Sequence, residues 1–245
     1  MSAIRRRTFL ASVASYLIGS TSLTHASLIR MSMPWTPYPS SPPETVRPGP
    51  WKFFTADEAA AIEAIVDRII PPDSETPGGR DAGCAVFIDR QLAGPYGLAE
   101  GLYMLGPFAK GSKEQGPQSE MPPAMLYRKG LSELDRYCKA HFEAKGFAAL
   151  TPEEQDDVLK KVEAGDIHFD GIEAQGLFDA FLKDVPEGFF ADPIHGGNRH
   201  MVGWKMIGFP GIRYDYRDWV NRHNERYPLP PVSIAGRADW SPSKS

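Results

Sequence analysis

Cysteine is scarce in this chain, which has only Cys84 and Cys138 among its 245 residues. Two cysteines cannot form a disulfide scaffold, and they cannot complete a four-ligand zinc site by themselves. Neither lies in a C-x-x-C-H motif, so the sequence has no covalent haem site. Three interpretations of the pair stay open: a disulfide between Cys84 and Cys138, a bridge from one of them to a partner chain, and two buried, reduced thiols.

The sequence also lacks the common motifs of catalysis and nucleotide binding. It contains neither the G-x-S-x-G turn of a serine hydrolase nor the G-x-G-x-x-G turn of a dinucleotide-binding fold. Residues 111–116 have the outer spacing of a phosphate-binding loop, but Pro117 and Gln118 stand where Lys and Ser or Thr are required. The net charge of −4 does not favour nucleic-acid binding. We therefore predict no catalytic residue, no cofactor-binding residue and no metal site in this chain.

The histidines do not change this prediction. His195 and His200 lie five positions apart with two glycines between them, which is not the one-turn spacing of a helical metal-binding pair. A solvated or hydrogen-bonded side chain is the simpler interpretation of each. Two alternatives are retained: an independent periplasmic enzyme that uses Asp192, His195 or His200, and a secreted binding module.

No apolar run in the sequence is long enough to span a membrane. The first 26 residues instead have a basic start, a short apolar run and a small-residue ending, which together are typical of an export signal. Arg6, Arg7, Phe9 and Leu10 fit the twin-arginine pattern R-R-x-F-L. We interpret residues 1–26 as a twin-arginine signal peptide for export to the periplasm, with an ordinary secretory signal as the alternative.

Proline and glycine are abundant, with 23 residues of each. Residues 27–50 contain seven prolines, so this segment cannot be helical or lie inside a sheet. We interpret it as an extended arm that is either a spacer or a contact to a partner. Residues 51–245 are predicted to form a single helical domain that ends in an interface tail.

Helical patterns dominate this domain. Two capping boxes, Thr55 with Glu58 and Thr151 with Glu154, predict helix starts before apolar residues at helical spacing. Other helices are predicted over residues 82–93, 124–145 and 173–185, and Pro186 is expected to stop the last of them. Because no alternating strand pattern occurs, we predict a mainly α fold: a small, irregular helical bundle with extended Pro- and Gly-rich N- and C-terminal arms.

The segment from Asp192 to Gly211 combines five glycines with large apolar side chains, on a backbone too irregular for a regular core element. The tail that follows mixes aromatic residues with arginine, a composition typical of protein interfaces. Each stretch has two interpretations: a surface shaped to fit a partner, and a segment that packs into the chain's own core.

Three stretches resemble the small subunit of gluconate 2-dehydrogenase, also called subunit 3 or gamma. They are FFTADEAAAIEAIVDRIIPPD, GGNRHMVGWKMIGFPG and RYDYRDWV, and they accompany the twin-arginine start. The resemblance covers essentially the whole mature chain and is most specific at residues 196–211. The family pattern often has Tyr and Asp at the positions of His195 and His200, so local contacts are expected to differ there.

The resemblance implies a small, non-catalytic subunit of a three-part periplasmic enzyme that is attached to the cytoplasmic membrane through the complex. An FAD-bearing large subunit would oxidise D-gluconate to 2-keto-D-gluconate, and a multihaem cytochrome c subunit would pass the electrons to quinone. FAD and haem c are thus expected in the partner subunits and not in this chain. The small subunit would support maturation of the flavoprotein and supply the signal for joint export by the twin-arginine translocase.

The resemblance also implies that the Gly-rich segment and the tail form the partner interface. Trp204 and Phe209 are its expected anchors. The full expected set is Gly196, Gly197, Asn198, Trp204, Phe209, Tyr214, Tyr216 and Trp219.

Overall fold

A computed structural model describes residues 45–109, 111–112, 119–213 and 215–236 of the protein. The α-helices of this part are α1 Ala56–Ile69, α2 Cys84–Leu92, α3 Pro123–His141, α4 Pro152–Ala164, α5 Ala174–Phe190 and α6 Val202–Ile207. Within the same ranges the only β pairing is in isolated bridges. The predicted mainly α class is therefore confirmed.

The predicted export-signal residues lie outside the described residues, as do residues 27–44 of the Pro-rich arm. Those signal residues are Arg6, Arg7, Phe9 and Leu10. No helix of the described ranges is long and apolar enough to cross a membrane.

Helix α5 is central, because it contacts each of the other five helices. Its buried residues Leu177, Phe181, Val185 and Phe189 recur every fourth position and form one stripe. Fully burying one such side chain contributes roughly 1.5–3 kcal/mol. The stripe packs against buried residues of the surrounding helices, among them Ile62, Ile65, Ile88, Tyr127, Leu134 and Val158. The C-terminal end of α5 is therefore a firmly held position.

Both predicted capping boxes form. The hydroxyl oxygen of Thr55 accepts from the backbone N–H of Glu58, whose carboxylate accepts from the N–H of Thr55. Thr151 and Glu154 repeat the arrangement at the start of α4. These bonds satisfy backbone donors that the first helical turn leaves free, so the starts of α1 and α4 are confirmed.

The predicted end of α3 is wrong. The helix ends at His141 and not at Lys145. Glu143 and Ala144 have φ angles of 50° and 62°, so the chain turns out of the helix through left-handed backbone conformations. Helix α2, predicted over residues 82–93, is confirmed to within two residues at each end.

Pro186 does not stop α5, which continues to Phe190. A proline inside a helix removes one backbone N–H, here the donor to the carbonyl of Leu182. Leu182 is 46% exposed. The buried ring of Phe189 holds the last turn in place, and this packing outweighs the local preference of proline.

A buried carboxylate fixes the segment that enters α1. Asp89 of α2 is fully buried and accepts hydrogen bonds from the backbone N–H groups of Lys52, Phe53 and Phe54, at 2.9, 2.9 and 3.0 Å. Hydrogen bonds to a charged acceptor are stronger than neutral ones. Residues 52–54 are therefore held against α2 before α1 begins.

A second buried carboxylate joins three parts of the chain. Asp184 of α5 accepts hydrogen bonds from the hydroxyl of Tyr127 on α3, at 2.8 Å, and from that of Tyr96 after α2, at 2.9 Å. Burial and the nearby carboxylate raise the pKa of both tyrosines. Both hydroxyls consequently keep their protons and act as donors across the physiological pH range.

Candidate docking surface

The Gly-rich segment, residues 192–211, folds over the C-terminal end of α5. It forms short 3-10 turns at Pro193–His195 and Arg199–Met201, and α6 follows. A Cβ atom at Gly197 or at Gly203 would clash with the α5 backbone. Only glycine permits this close approach, so these two glycines serve the chain's own packing.

The buried side chain of Asn198 stabilises the Gly-rich segment through two hydrogen bonds. Its side chain is fully buried, with Nδ2 donating to the carbonyl of Ala191 at 2.8 Å and Oδ1 accepting from the N–H of Gly203 at 2.9 Å. Asn198, His200 and Met201 have positive φ angles of 44°, 57° and 57°. Such angles are unfavourable for side-chain-bearing residues, so the two Asn198 hydrogen bonds hold a strained turn.

Trp204 lies in the chain's own core. Only 5% of its surface is exposed, and its Nε1 donates to the carbonyl of Phe190 at 2.8 Å. Its ring meets that of Phe209 edge-on, with the centroids 5.1 Å apart. A buried indole is not presented to a partner, so Trp204 supports the surface from beneath and is not an exposed anchor. Three more of the expected interface residues are buried in the same way: Gly196, Gly197 and Asn198.

Exposed apolar side chains gather beside this buried tryptophan. Met206 and Ile207 on α6 are 52% and 59% exposed, and Phe209 is 42% exposed. The ring of Phe190 faces Gly203, which precedes Met206 and Ile207 by one helical turn. The name "apolar surface" is used below for Phe190, Met206, Ile207, Phe209 and Ile212. Contiguous exposed apolar groups mark binding sites, whereas single ones are ordinary.

A C-terminal loop, residues 213–231, leaves and rejoins the domain beside the apolar surface. Backbone hydrogen bonds between residues 210–212 and Val232 close this loop. A further hydrogen bond connects the two segments, because the carboxylate of Asp192 accepts from the backbone N–H of Ile234 at 2.7 Å. The loop is thus fastened at its base to the Gly-rich segment.

Aromatic and arginine side chains stack within the C-terminal loop. The rings of Trp219 and Tyr227 lie 4.9 Å apart, and the guanidinium of Arg222 lies 4.6 Å from the Trp219 ring. Of the expected interface residues here, Tyr216 and Trp219 are half-buried, while Tyr214 lies outside the described residues. Two of the expected aromatic residues are therefore only partly accessible.

Asp192 and the two histidines of the Gly-rich segment are either hydrogen-bonded within the chain or exposed to solvent. Asp192 accepts from the backbone N–H of Ile194 at 3.0 Å, in addition to that of Ile234. His195 and His200 are exposed. Among the described residues, no group of three or more His, Cys, Asp or Glu side chains is arranged to hold a metal ion. Apolar contact and ion pairing are the interactions that this segment can supply.

Both cysteines are free in the structure, and both are buried. Burial raises the pKa of the Cys84 thiol to about 12 and that of the Cys138 thiol to about 12. Thiols with such a pKa stay protonated at neutral pH and are poor nucleophiles. Of the three interpretations of this pair, the structure contains the buried, reduced one.

A protein-family model matches the chain from the start of α1 to the end of the Gly-rich segment, residues 56–211. Its description is gluconate 2-dehydrogenase subunit 3, and the match spans more than half of the chain. The chain belongs to the gluconate 2-dehydrogenase subunit 3 family. The expected family is thereby confirmed, and as a subunit 3 the chain is one component of a multi-subunit dehydrogenase. No match was found among curated proteins or among solved structures.

Sequence reasoning missed the outward side of α6. From the sequence, Met206 and Ile207 are only two of the large apolar side chains of the Gly-rich segment. Helical geometry offered a usable signal, because Met206 lies two residues beyond Trp204 and hence about 200° around the helix axis. If one of these two side chains is buried, the other faces away from it. Every residue of the apolar surface except Ile212 falls inside the family match.

Proposed function

We propose that this chain is the small, non-catalytic subunit of a periplasmic, FAD-dependent gluconate 2-dehydrogenase complex, and that it binds the FAD-bearing large subunit. The observation that carries the proposal is the apolar surface, which is exposed and lies almost entirely in the family-matched part of the chain. An exposed apolar surface on a subunit of an assembly is naturally buried by another subunit.

The construction of the apolar surface supports this role. Trp204 backs Phe209 from below, and Asn198 holds the turn that leads into α6. A surface that is already ordered loses little conformational entropy when a partner binds. Aromatic side chains near the centre of an interface often contribute most of the binding free energy. Phe209, aromatic and exposed, is the residue we assign to that position.

In the proposed complex the redox chemistry takes place outside this chain. The large subunit holds FAD and oxidises D-gluconate to 2-keto-D-gluconate. A multihaem cytochrome c subunit accepts the electrons and passes them to quinone in the cytoplasmic membrane. The small subunit stabilises the flavoprotein and supports its maturation.

Joint export is the second part of the proposed role. Arg6 and Arg7 begin a twin-arginine pattern, and the twin-arginine route transports folded proteins. A flavoprotein that has already bound FAD in the cytoplasm can then cross the membrane attached to this chain. The translocase is therefore a further, transient partner.

Subcellular fractionation tests this proposal. Changing Arg6→Lys together with Arg7→Lys should leave both the small subunit and the flavoprotein in the cytoplasm. Arg5→Lys, which alters a neighbouring arginine outside the pair, is the matched control and should leave export unchanged. Deletion of the chain should leave the flavoprotein in the cytoplasm or degraded. Normal periplasmic gluconate oxidation in the deletion strain would contradict the proposal.

A further inference from the structure

Charge is distributed unevenly along this chain. Residues 45–194, which include α1 to α5, contain 15 Lys and Arg residues against 26 Asp and Glu residues. Residues 195–226 contain six Lys and Arg residues against three Asp and Glu residues. Most of the apolar surface therefore lies in a short basic segment that follows a strongly acidic helical body.

Several cations of this basic segment lack an acidic partner. Arg217 and Arg222 pair with Asp215 and Glu225 within the C-terminal loop. Among the described residues, no ion pair or hydrogen bond engages the side chains of Arg199, Lys205 and Arg226. Lys205 and Arg226 are exposed, and Lys205 directly precedes Met206 of the apolar surface.

Arg199, unlike the other two cations, is partly buried. Its Nε is buried and has no hydrogen-bond acceptor in the structure. A buried donor without an acceptor is destabilising by about 1–3 kcal/mol, and nearly all such donors in native proteins are satisfied. Because the chain's own atoms, among them those of Gly83, enclose this Nε, a partner cannot reach it, and only Lys205 and Arg226 of the three cations are exposed.

We infer that the partner's contact face is acidic, and that carboxylates of the FAD-bearing large subunit pair with the exposed Lys205 and Arg226 of the basic segment. This inference rests on the proposed function and adds to it the charge of the opposing face. Apolar contacts at the centre with charged pairs at the edge are the usual arrangement of a protein interface.

A protein partner fits these observations better than an anionic lipid bilayer. A bilayer presents negative charge over a wide plane, which would attract the basic segment but repel the acidic helical body beside it. The Debye length is about 8 Å at physiological salt, so this repulsion acts on residues near the contact. A protein can place its carboxylates opposite Lys205 and Arg226 alone.

Binding of the purified full chain to the FAD-loaded large subunit at two salt concentrations tests the inference. The variant carries Lys205→Gln and Arg226→Gln, while the matched control carries Lys129→Gln and Lys160→Gln. Both lose two exposed positive charges, but the control loses them from α3 and α4. The affinity of the variant should fall about tenfold at low salt, whereas the control should bind like the unaltered chain.

Salt dependence gives the second readout. Raising NaCl from about 0.05 M to about 0.5 M should weaken binding of the unaltered chain and the control, and should affect the variant less.

Equal affinities and equal salt dependence for variant and control would overturn the inference while leaving the proposed function intact. No binding by the unaltered chain would overturn both. Variant-specific loss of binding to phosphatidylglycerol vesicles, with unchanged flavoprotein binding, would assign the cations to lipid instead.

Discussion

The indole Nε1 of Trp204 donates a 2.8 Å hydrogen bond to the carbonyl oxygen of Phe190. This bond joins α6 to the last residue of α5, the helix that every other described helix contacts. The apolar surface is therefore attached directly to the core, and changes beneath it should affect folding while changes on it should affect binding.

Trp204→Ala should destabilise the isolated chain by about 3–5 kcal/mol, because it leaves a cavity beneath Phe209 and removes the bond to Phe190. Trp204→Phe keeps much of the ring volume and should cost about 1–3 kcal/mol. Urea denaturation followed by circular dichroism measures both values. If Trp204→Ala kept the stability of the unaltered chain and yet abolished flavoprotein binding, Trp204 would be a contact residue and its core role would be refuted.

Asn198 provides a test of the turn that precedes α6. Asn198→Ala removes two buried hydrogen bonds and places alanine at a φ of 44°, so the loss of stability should reach about 2–4 kcal/mol. Asn198→Gly removes the same bonds but accepts that φ, and it should lose about 1 kcal/mol less. Thermal unfolding of the two variants separates the contributions. Equal losses would show that the backbone conformation is not under strain.

The buried thiols predict a loss of stability at alkaline pH. An unfolded thiol releases its proton near pH 9, whereas burial raises the pKa of Cys84 and of Cys138 to about 12 in the folded chain. Between these values the unfolded state releases protons that the folded state retains. The stabilising contribution is therefore fully present below about pH 9 and decreases as the pH rises toward 12. Urea unfolding from pH 8 to pH 11 should show a steeper decline than in the Cys84→Ala, Cys138→Ala chain.

The same cysteines can be counted chemically. Iodoacetamide at pH 8 should leave both thiols unmodified in the folded protein and should modify two per chain in urea, since exposure restores the thiolate. Mass spectrometry gives the count directly. No modification of the unreduced protein in urea would indicate a disulfide between Cys84 and Cys138, the alternative that the sequence also allowed.

Local signals account for the parts of the fold that were predicted correctly. Thr55 and Thr151 determine where α1 and α4 begin, because each makes its capping bonds within three residues. Such a pattern is visible in any short window of sequence. Pro186 is also a local signal, but the packing of Phe189 overrode it, and that packing depends on helices far away in the chain.

Long-range contacts account for what was missed. Tyr96 and Asp184 are 88 positions apart, and Asp89 binds the N–H of Phe54 across 35 positions. No short-range pattern marks either carboxylate as buried. Trp204 and Phe209 show the same limitation at the candidate surface, since both are aromatic residues among glycines. Only the folded arrangement separates the buried ring from the exposed one.

Binding of FAD-loaded large subunit by a surface variant tests the central claim most directly. Met206→Ser with Ile207→Ser removes two exposed apolar side chains from α6, and Met125→Ser with Leu182→Ser removes two similarly exposed ones from α3 and α5. Each tagged chain is co-produced with the flavoprotein and purified, and the flavin absorbance per chain is measured.

Both variants should unfold at the temperature of the unaltered chain. We predict at least about 100-fold weaker binding, and hence no co-purified flavin, for the Met206, Ile207 variant alone. Full flavin recovery with that variant would contradict the account.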